Sequence, residues 1–404
     1  MKSELAELAI FGGEPAFNAQ LHVGRPDIPD RGRLMERIND ILDRQWVTND
    51  GPCVREFERK IADTLGVKHA IAVCNGTVAL ELAIRAAGLT GEVIVPSYTF
   101  VATAHALQWQ GITPVFCDID AATCNINPSM VERLLTSRTT GLIGVHLWGR
   151  PCPVDQLSEI AERHNLTLMF DAAHAFGCSY KGRLLGGFGL AEVFSFHATK
   201  FLQSFEGGAV TTNDDQLASK IGLMRNFGFA GYDNVICLGT NGKMSEVCAA
   251  MGLTSLESLP GRVAINKRNY HAYRKQLAGL KGISLIEYDE TGTCNFQYVV
   301  VSVDEAVAGL NRDDLIHVLH MENVLARRYF YPGVHRMQPY KACFPNAGTH
   351  LNETERMADR VLVLPTGASV GESDIHEICS VVRVAVENAE RVRERMARTH
   401  HAGH

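Results

Sequence analysis

The sequence predicts an α/β fold: a mainly parallel central sheet with helices on both faces, joined to a smaller C-terminal α+β domain. Two observations carry this. Between residues 69 and 225, short apolar strands alternate with helical stretches, the pattern of parallel strands linked by crossover helices. The 404 residues also exceed what one hydrophobic core usually serves, so a large domain and a smaller one are expected.

Residues 1–30 show little periodicity and read as an N-terminal arm. An amphipathic helix fits 33–44, then a polar loop, then a helix from Pro52 to residue 65, with proline where a helix start tolerates it. Strands are expected near 69–74, 92–96, 113–119, 141–148, 166–171 and 191–197, and helices near 77–88, 100–110, 127–135 and 154–164. A strand at 208–213 and a helix at 215–225 follow. A helix over 244–259 meets Leu259-Pro260-Gly261, a natural boundary, so the large domain is placed at 31–259. Beyond it come a helix near 262–279, strands near 283–288 and 295–303, and helices near 311–322 and 372–396. These make a smaller domain of 260–396, with 397–404 as a tail and no internal repeat.

Hydrophobic residues at 46% and charged residues at 21% are ordinary globular values. A net charge of −6 argues against nucleic acid or an anionic membrane as partner. The first residues, MKSELAELAIFGG, lack the apolar core of a signal peptide, and other apolar runs are too short to span a bilayer. Eleven cysteines without a CxxC pair suit reduced thiols in a cytoplasmic protein, and no metal site is expected. The terminal THHAGH is read as a frayed tail rather than a metal ligand set.

Residues 191–210, AEVFSFHATKFLQSFEGGAV, open as a strand with Phe194 and Phe196 on one face and Ser195 and His197 on the other. The pattern breaks at Ala198-Thr199 and presents Lys200. Such a lysine is usually a solvated charge. Here Phe194, Phe196, Phe201 and Phe205 flank it and would place the amine in an apolar wall, where burial favours the neutral, nucleophilic form. A second stretch, LTLMFDAAHA, reads as a buried strand stopping at Asp171. Carboxyl ends of parallel strands line the ligand crevice. A lysine beyond one strand end and an acid at another match what pyridoxal phosphate needs: a Schiff-base lysine, and a carboxylate that keeps the pyridine nitrogen protonated.

Cys74-Asn-Gly-Thr-Val-Ala79 joins a strand to a helix, so Gly76 and Thr77 could hold a phosphate at the helix start or simply cap it. Val95-Pro-Ser-Tyr-Thr-Phe100 places Phe100 at the crevice, where it could stack on a flat ring or pack. Ser195 is a second phosphate donor. No GxGxxG is present, which disfavours a nicotinamide or flavin site, and Lys243 lacks the glycine spacing of a P-loop. Arg327, Arg328, Tyr329, Tyr331 and His335 cluster in ARRYFYPGVH, either at a substrate or on a solvated loop.

From GPCVREFE near residue 51 to FYPGVHRMQPY, the chain resembles the DegT/DnrJ/EryC1/StrS group of pyridoxal-phosphate-dependent sugar aminotransferases, which have the type I aminotransferase fold. The resemblance implies roles. FDAAHAFG makes Asp171 the partner of the pyridine nitrogen and His174 a neighbour of the ring oxygen. FSFHATK makes Lys200 the cofactor lysine and Ser195 a phosphate ligand. NGTVAL assigns Gly76 and Thr77 to the phosphate loop, SYTF puts Phe100 over the ring, and LGTNGKMSE makes Asn241 a phosphate contact in the neighbouring subunit. Phe170 stands where many members have an acid, and His174 where many have glutamine.

The implied reaction is transfer of an amino group from L-glutamate to a nucleotide-linked ketosugar, foremost C4 of a dTDP-4-keto-6-deoxyhexose, in a homodimer with shared active sites. Lys243, Arg327, Tyr331 and His335 are the expected substrate contacts. C3 amination is the alternative. C3 deoxygenation would replace the lysine with histidine, and a non-catalytic sugar-binding paralogue would not need both Asp171 and Lys200.

Overall fold

A computed structural model describes residues 1–401, and the side chains of residues 1–398. The first sheet strand, β1 (His69–Val73), follows two helices, α1 (Arg31–Arg44) and α2 (Pro52–Leu65). The remaining strands are β2 (Glu92–Pro96), β3 (Thr113–Cys117), β4 (Thr139–Val145), β5 (Thr167–Asp171), β6 (Ala191–Ser195) and β7 (Gly208–Thr212). They hydrogen-bond in the order β1-β7-β6-β5-β4-β2-β3. Only β7 runs against its neighbours, so the other six strands put their carboxyl ends on one edge. That edge is where Asn75, Phe100, Asp171 and Lys200 emerge.

Successive strand residues alternate between two apolar layers, which explains the near-continuous apolar runs. Val73, Val95, Met169 and Val193 pack against α3 (Gly76–Ala86), α4 (Ala102–Gln108) and, beyond β7, α7 (Asp215–Met224). On the other face, Leu168 and Phe170 meet α5 (Pro128–Leu134) and α6 (Val154–His164). Ala72, Phe194 and Ala209 meet α2 and α8 (Glu246–Glu257).

The C-terminal sheet is antiparallel, ordered β8 (Ile283–Leu285), β9 (Val299–Val303), β10 (Val361–Leu364). It packs with α9 (Leu259–Leu277), α10 (Arg312–Met321) and α12 (Glu372–Glu387), which follows the short α11 (Asn352–Arg360).

Several local expectations are corrected. Pro260 does not end a helix: Ser258 closes α8 and Pro260 sits in the first turn of α9, as its missing N–H allows. The last long helix breaks at Asn388 and resumes as α13 (Ala389–His401). The N-terminal arm is embedded, with Leu5, Leu8 and Ile10 buried in the C-terminal core. Fully buried Glu322 accepts from the amides of Ala9 and Ala16, and Leu21–His22 pairs with Val324–Leu325. The short strand β10 was not foreseen. The THHAGH run lies outside the residues whose side chains are described. Among the described residues, no helix is long and apolar enough to cross a membrane.

Candidate active site

Asp171 ends β5 and is 5% exposed as a residue. Oδ2 accepts from Thr103 Oγ1 at 2.8 Å and Oδ1 from the Ala173 amide at 3.1 Å. Burial pushes its pKa up; those two donors and the Lys200 ammonium oppose the shift without cancelling it. No ion pair closes on it among the described residues, which leaves a buried acid attracted by the Lys200 charge without direct contact. Lys200 lies in the turn after β6, its amide bonded to His197 O at 2.8 Å. It keeps some contact with solvent, yet the protein around its amine brings its pKa from 10.5 to about 8, with Asp171 pulling the other way.

The expected apolar wall around Lys200 is a correction. Phe194 and Phe196 turn away from it and pack edge-on against Phe176, and Phe196 also against Phe57. Phe201 shares its cleft, but so do Arg25, Asp27, Arg262, Asn266 and Gln297. Desolvation by the mass of protein, rather than an aromatic cage, depresses the amine.

His174 is buried, stacked on Phe330 with the rings 6° from parallel, and Trp148 N–H donates to its Nδ1 at 3.2 Å. Nδ1 therefore carries no proton and Nε2–H is the free donor. Burial and the nearby Lys200 charge hold the imidazole neutral, its pKa well below the usual value. Phe100 is half exposed and meets Phe330 at 6.2 Å between centroids.

The phosphate loop is assembled by close approach. Asn75 caps α3, its Oδ1 accepting from Val78 N–H at 2.9 Å, which leaves the amides of Gly76 and Thr77 free at the helix start. A Cβ at Gly76 would sit 2.9 Å from Ser195 Cβ, so only glycine lets β6 deliver Ser195 to this helix end.

The predicted substrate contacts separate. Arg327 and Tyr331 line one groove with Phe100, Arg328 and Tyr329. Arg312 and Arg328 each lie over the Tyr331 ring. His335 does not join them. It is 4% exposed, with Nδ1 on Ser97 Oγ at 2.7 Å and Nε2 facing Glu355 at 3.2 Å, so both nitrogens are committed to packing. Lys243 is also engaged, bonded to Asn241 Oδ1 at 2.7 Å and over the Phe227 ring. Asn241 itself is exposed. Thr103 was missed; its local sequence, ATAHA at 102–106, carries no sign that α4 leans over Asp171.

The family model for the DegT/DnrJ/EryC1/StrS aminotransferases matches residues 30–383. The chain belongs to this family. A "dTDP-4-amino-4,6-dideoxy-D-glucose transaminase" of Shigella dysenteriae is 37% identical over 90% of this chain and 98% of its own length. A GDP-perosamine synthase of Caulobacter vibrioides is 36% identical, covering 87% of this chain and 95% of its own. Among solved structures, DesI, crystallised in the presence of its TDP-sugar product, is 49% identical with a TM-score of 0.92, covering 97% of this chain and all of its own. As a DegT/DnrJ/EryC1/StrS member the protein is a pyridoxal-phosphate-dependent sugar aminotransferase. Its residues fit the cofactor: a buried acid with no ion-pair partner among the described residues, a lysine whose pKa is lowered to about 8, and a free helix N-terminus beside Ser195.

Proposed function

We propose that the protein transfers an amino group from L-glutamate to C4 of a dTDP-4-keto-6-deoxyhexose, giving a dTDP-4-amino-4,6-dideoxysugar. The observation carrying the reaction type is the juxtaposition, at the carboxyl edge of the sheet, of Lys200 with its pKa near 8 and buried Asp171. The substrate rests on likeness to the Shigella transaminase and to DesI.

Bound pyridoxal phosphate supplies an electron sink for the charge left when a proton leaves the carbon bearing nitrogen. The rest is work for this chain. Asp171 would hold a positive ring nitrogen by ion pairing, and Thr103 and Ala173 N–H keep its carboxylate aimed. His174 Nε2–H would donate to the ring oxygen. The amides of Gly76 and Thr77 with the Ser195 hydroxyl would take the phosphate at the start of α3. Lys200, titrating near pH 8, accepts the substrate proton and returns it. Arg327, Tyr331 and Phe100 offer cation and ring surfaces for the nucleotide-linked sugar along one groove.

The working unit in this reading is a homodimer in which Asn241 reaches the partner's phosphate. Its support is the 226–241 loop, which exposes Phe227, Phe229, Tyr232, Val235, Ile236 and Leu238, an apolar rim a monomer would not leave in water.

The test is a panel of dTDP-, UDP- and GDP-linked ketosugars with L-glutamate, products resolved by mass and NMR. Nitrogen at C4 of the dTDP sugar is expected. Nitrogen at C3 would refute the position and leave the reaction class standing. Borohydride reduction followed by peptide mapping should find the cofactor on Lys200; label on another lysine refutes the site.

A further inference from the structure

Among the described residues, three buried side-chain polar atoms lack a hydrogen-bond partner: His146 Nε2, Trp148 Nε1 and Glu192 Oε2. Native proteins leave few such atoms, so each of these asks for a physical account. All three residues are fully buried; His146 and Trp148 follow β4, and Glu192 lies on β6, beside the strand that Asp171 ends. Glu192 is the register partner of Phe170, the residue before Asp171. His146 stacks on Phe170 at 4.8 Å, and its amide donates to Asp171 O at 2.9 Å.

Proton placement settles what the pair does. His146 Nδ1 accepts from Cys152 N–H at 3.0 Å, so the ring proton sits on Nε2, which faces Glu192 Oε2 at 3.4 Å. Glu192 Oε1 already accepts from Phe188 N–H at 2.7 Å. Glu192 thus stands between two donors, and a small rotation closes the His146 contact. His146 in turn fastens both ends of the 146–152 loop. That loop carries Trp148 at φ +54°, a region costly for a residue with a side chain, so it needs holding. The Trp148 amide fixes the His174 tautomer.

We infer that Glu192 is a positioning residue: through His146 it holds the strained 147–149 turn, which keeps His174 in the Nε2–H form aimed at the cofactor. This rests on the reading of His174 as a cofactor contact. A carboxylate is required because only it accepts on both sides. In Glu192→Gln, of nearly the same shape, the amide nitrogen must meet one of two donors. If His146 changes tautomer to escape, its Nδ1–H meets Cys152 N–H instead.

The experiment compares wild type, Glu192→Gln and His174→Ala, with His146→Gln as a second break in the same link should Glu192→Gln fail to fold. Side-chain nitrogen NMR of histidine-labelled protein, without cofactor, reports the tautomers directly. Wild type should show His174 as the single Nε2–H form, and Glu192→Gln or His146→Gln a mixture. In loaded protein, Glu192→Gln should shift the visible band and weaken cofactor retention about tenfold, the effect of one unsatisfied buried donor. An unchanged His174 tautomer with retention within about twofold of wild type, below what such a donor costs, would overturn the proposal. If His174→Ala alters band and retention while Glu192→Gln does not, only this inference fails. If His174→Ala alters neither, the reading of His174 as a cofactor contact fails as well.

Discussion

A lysine pressed toward neutrality costs the fold something until its proton leaves. The pKa of Lys200 is about 8 in the folded chain against 10.5 for the free side chain, so the unfolded chain binds more protons between those values and stability rises with pH there. The penalty is complete below about pH 8 and gone above about 10.5. Cofactor-free Lys200→Met should therefore exceed wild type in stability near neutral pH by up to about 3 kcal/mol, the net penalty with the Asp171 attraction already included. The gap should close as pH rises through that window. Urea unfolding of both proteins at several pH values checks this, and a gap that ignores pH would mean the amine is not desolvated.

At the scale of elements, the start of β7 shapes the phosphate loop. Gly208 lies in register with Val73 on one side and Ser195 on the other. A Cβ there would stand 2.7–2.8 Å from backbone atoms of Asn75 and Gly76, which cannot swing away as a side chain can. Gly208→Ala should push the start of α3 outward, costing about 1–3 kcal/mol by overpacking and loosening the cofactor with it. Gly222 is the control: inside α7 with nothing within 4 Å of its would-be Cβ. Gly222→Ala should stabilise by about 0.5–1 kcal/mol and leave cofactor affinity alone. Denaturant midpoints with cofactor titrations measure both, and equal retention in the two variants would contradict the role given to Gly208.

The scale of the whole molecule is where Asn241 belongs. It is exposed on its own chain, at the end of the apolar 226–241 loop. If it completes a partner's phosphate site, Lys200→Ala and Asn241→Ala lesions fall on the same site from different chains. In a mixed dimer one site then carries both lesions and the other none. Random exchange makes half the dimers mixed, so about a quarter of all sites should be whole. Co-refolded mutants, each inactive alone, should recover about that share of activity; none recovered, with exchange verified, would place Asn241 within its own site or away from the cofactor.

By itself the sequence determined the alternation of strands and helices and the chemistry at two strand ends. Those signals are local: an apolar run must stop where an acid or a turn begins, so Asp171 and Lys200 were legible as soon as their strands were. The residues that surround them were not. Thr103 reaches Asp171 across 68 positions and Glu192 meets His146 across 46, because the strand order brings the helix after one strand and the loop after another to the ends of β5 and β6. The same packing took His335 out of the substrate set and turned Phe194 and Phe196 from Lys200 toward α2 and α8. Alternation along β6 fixes that two faces exist; which face looks at the cofactor edge and which at the core is decided by what packs there.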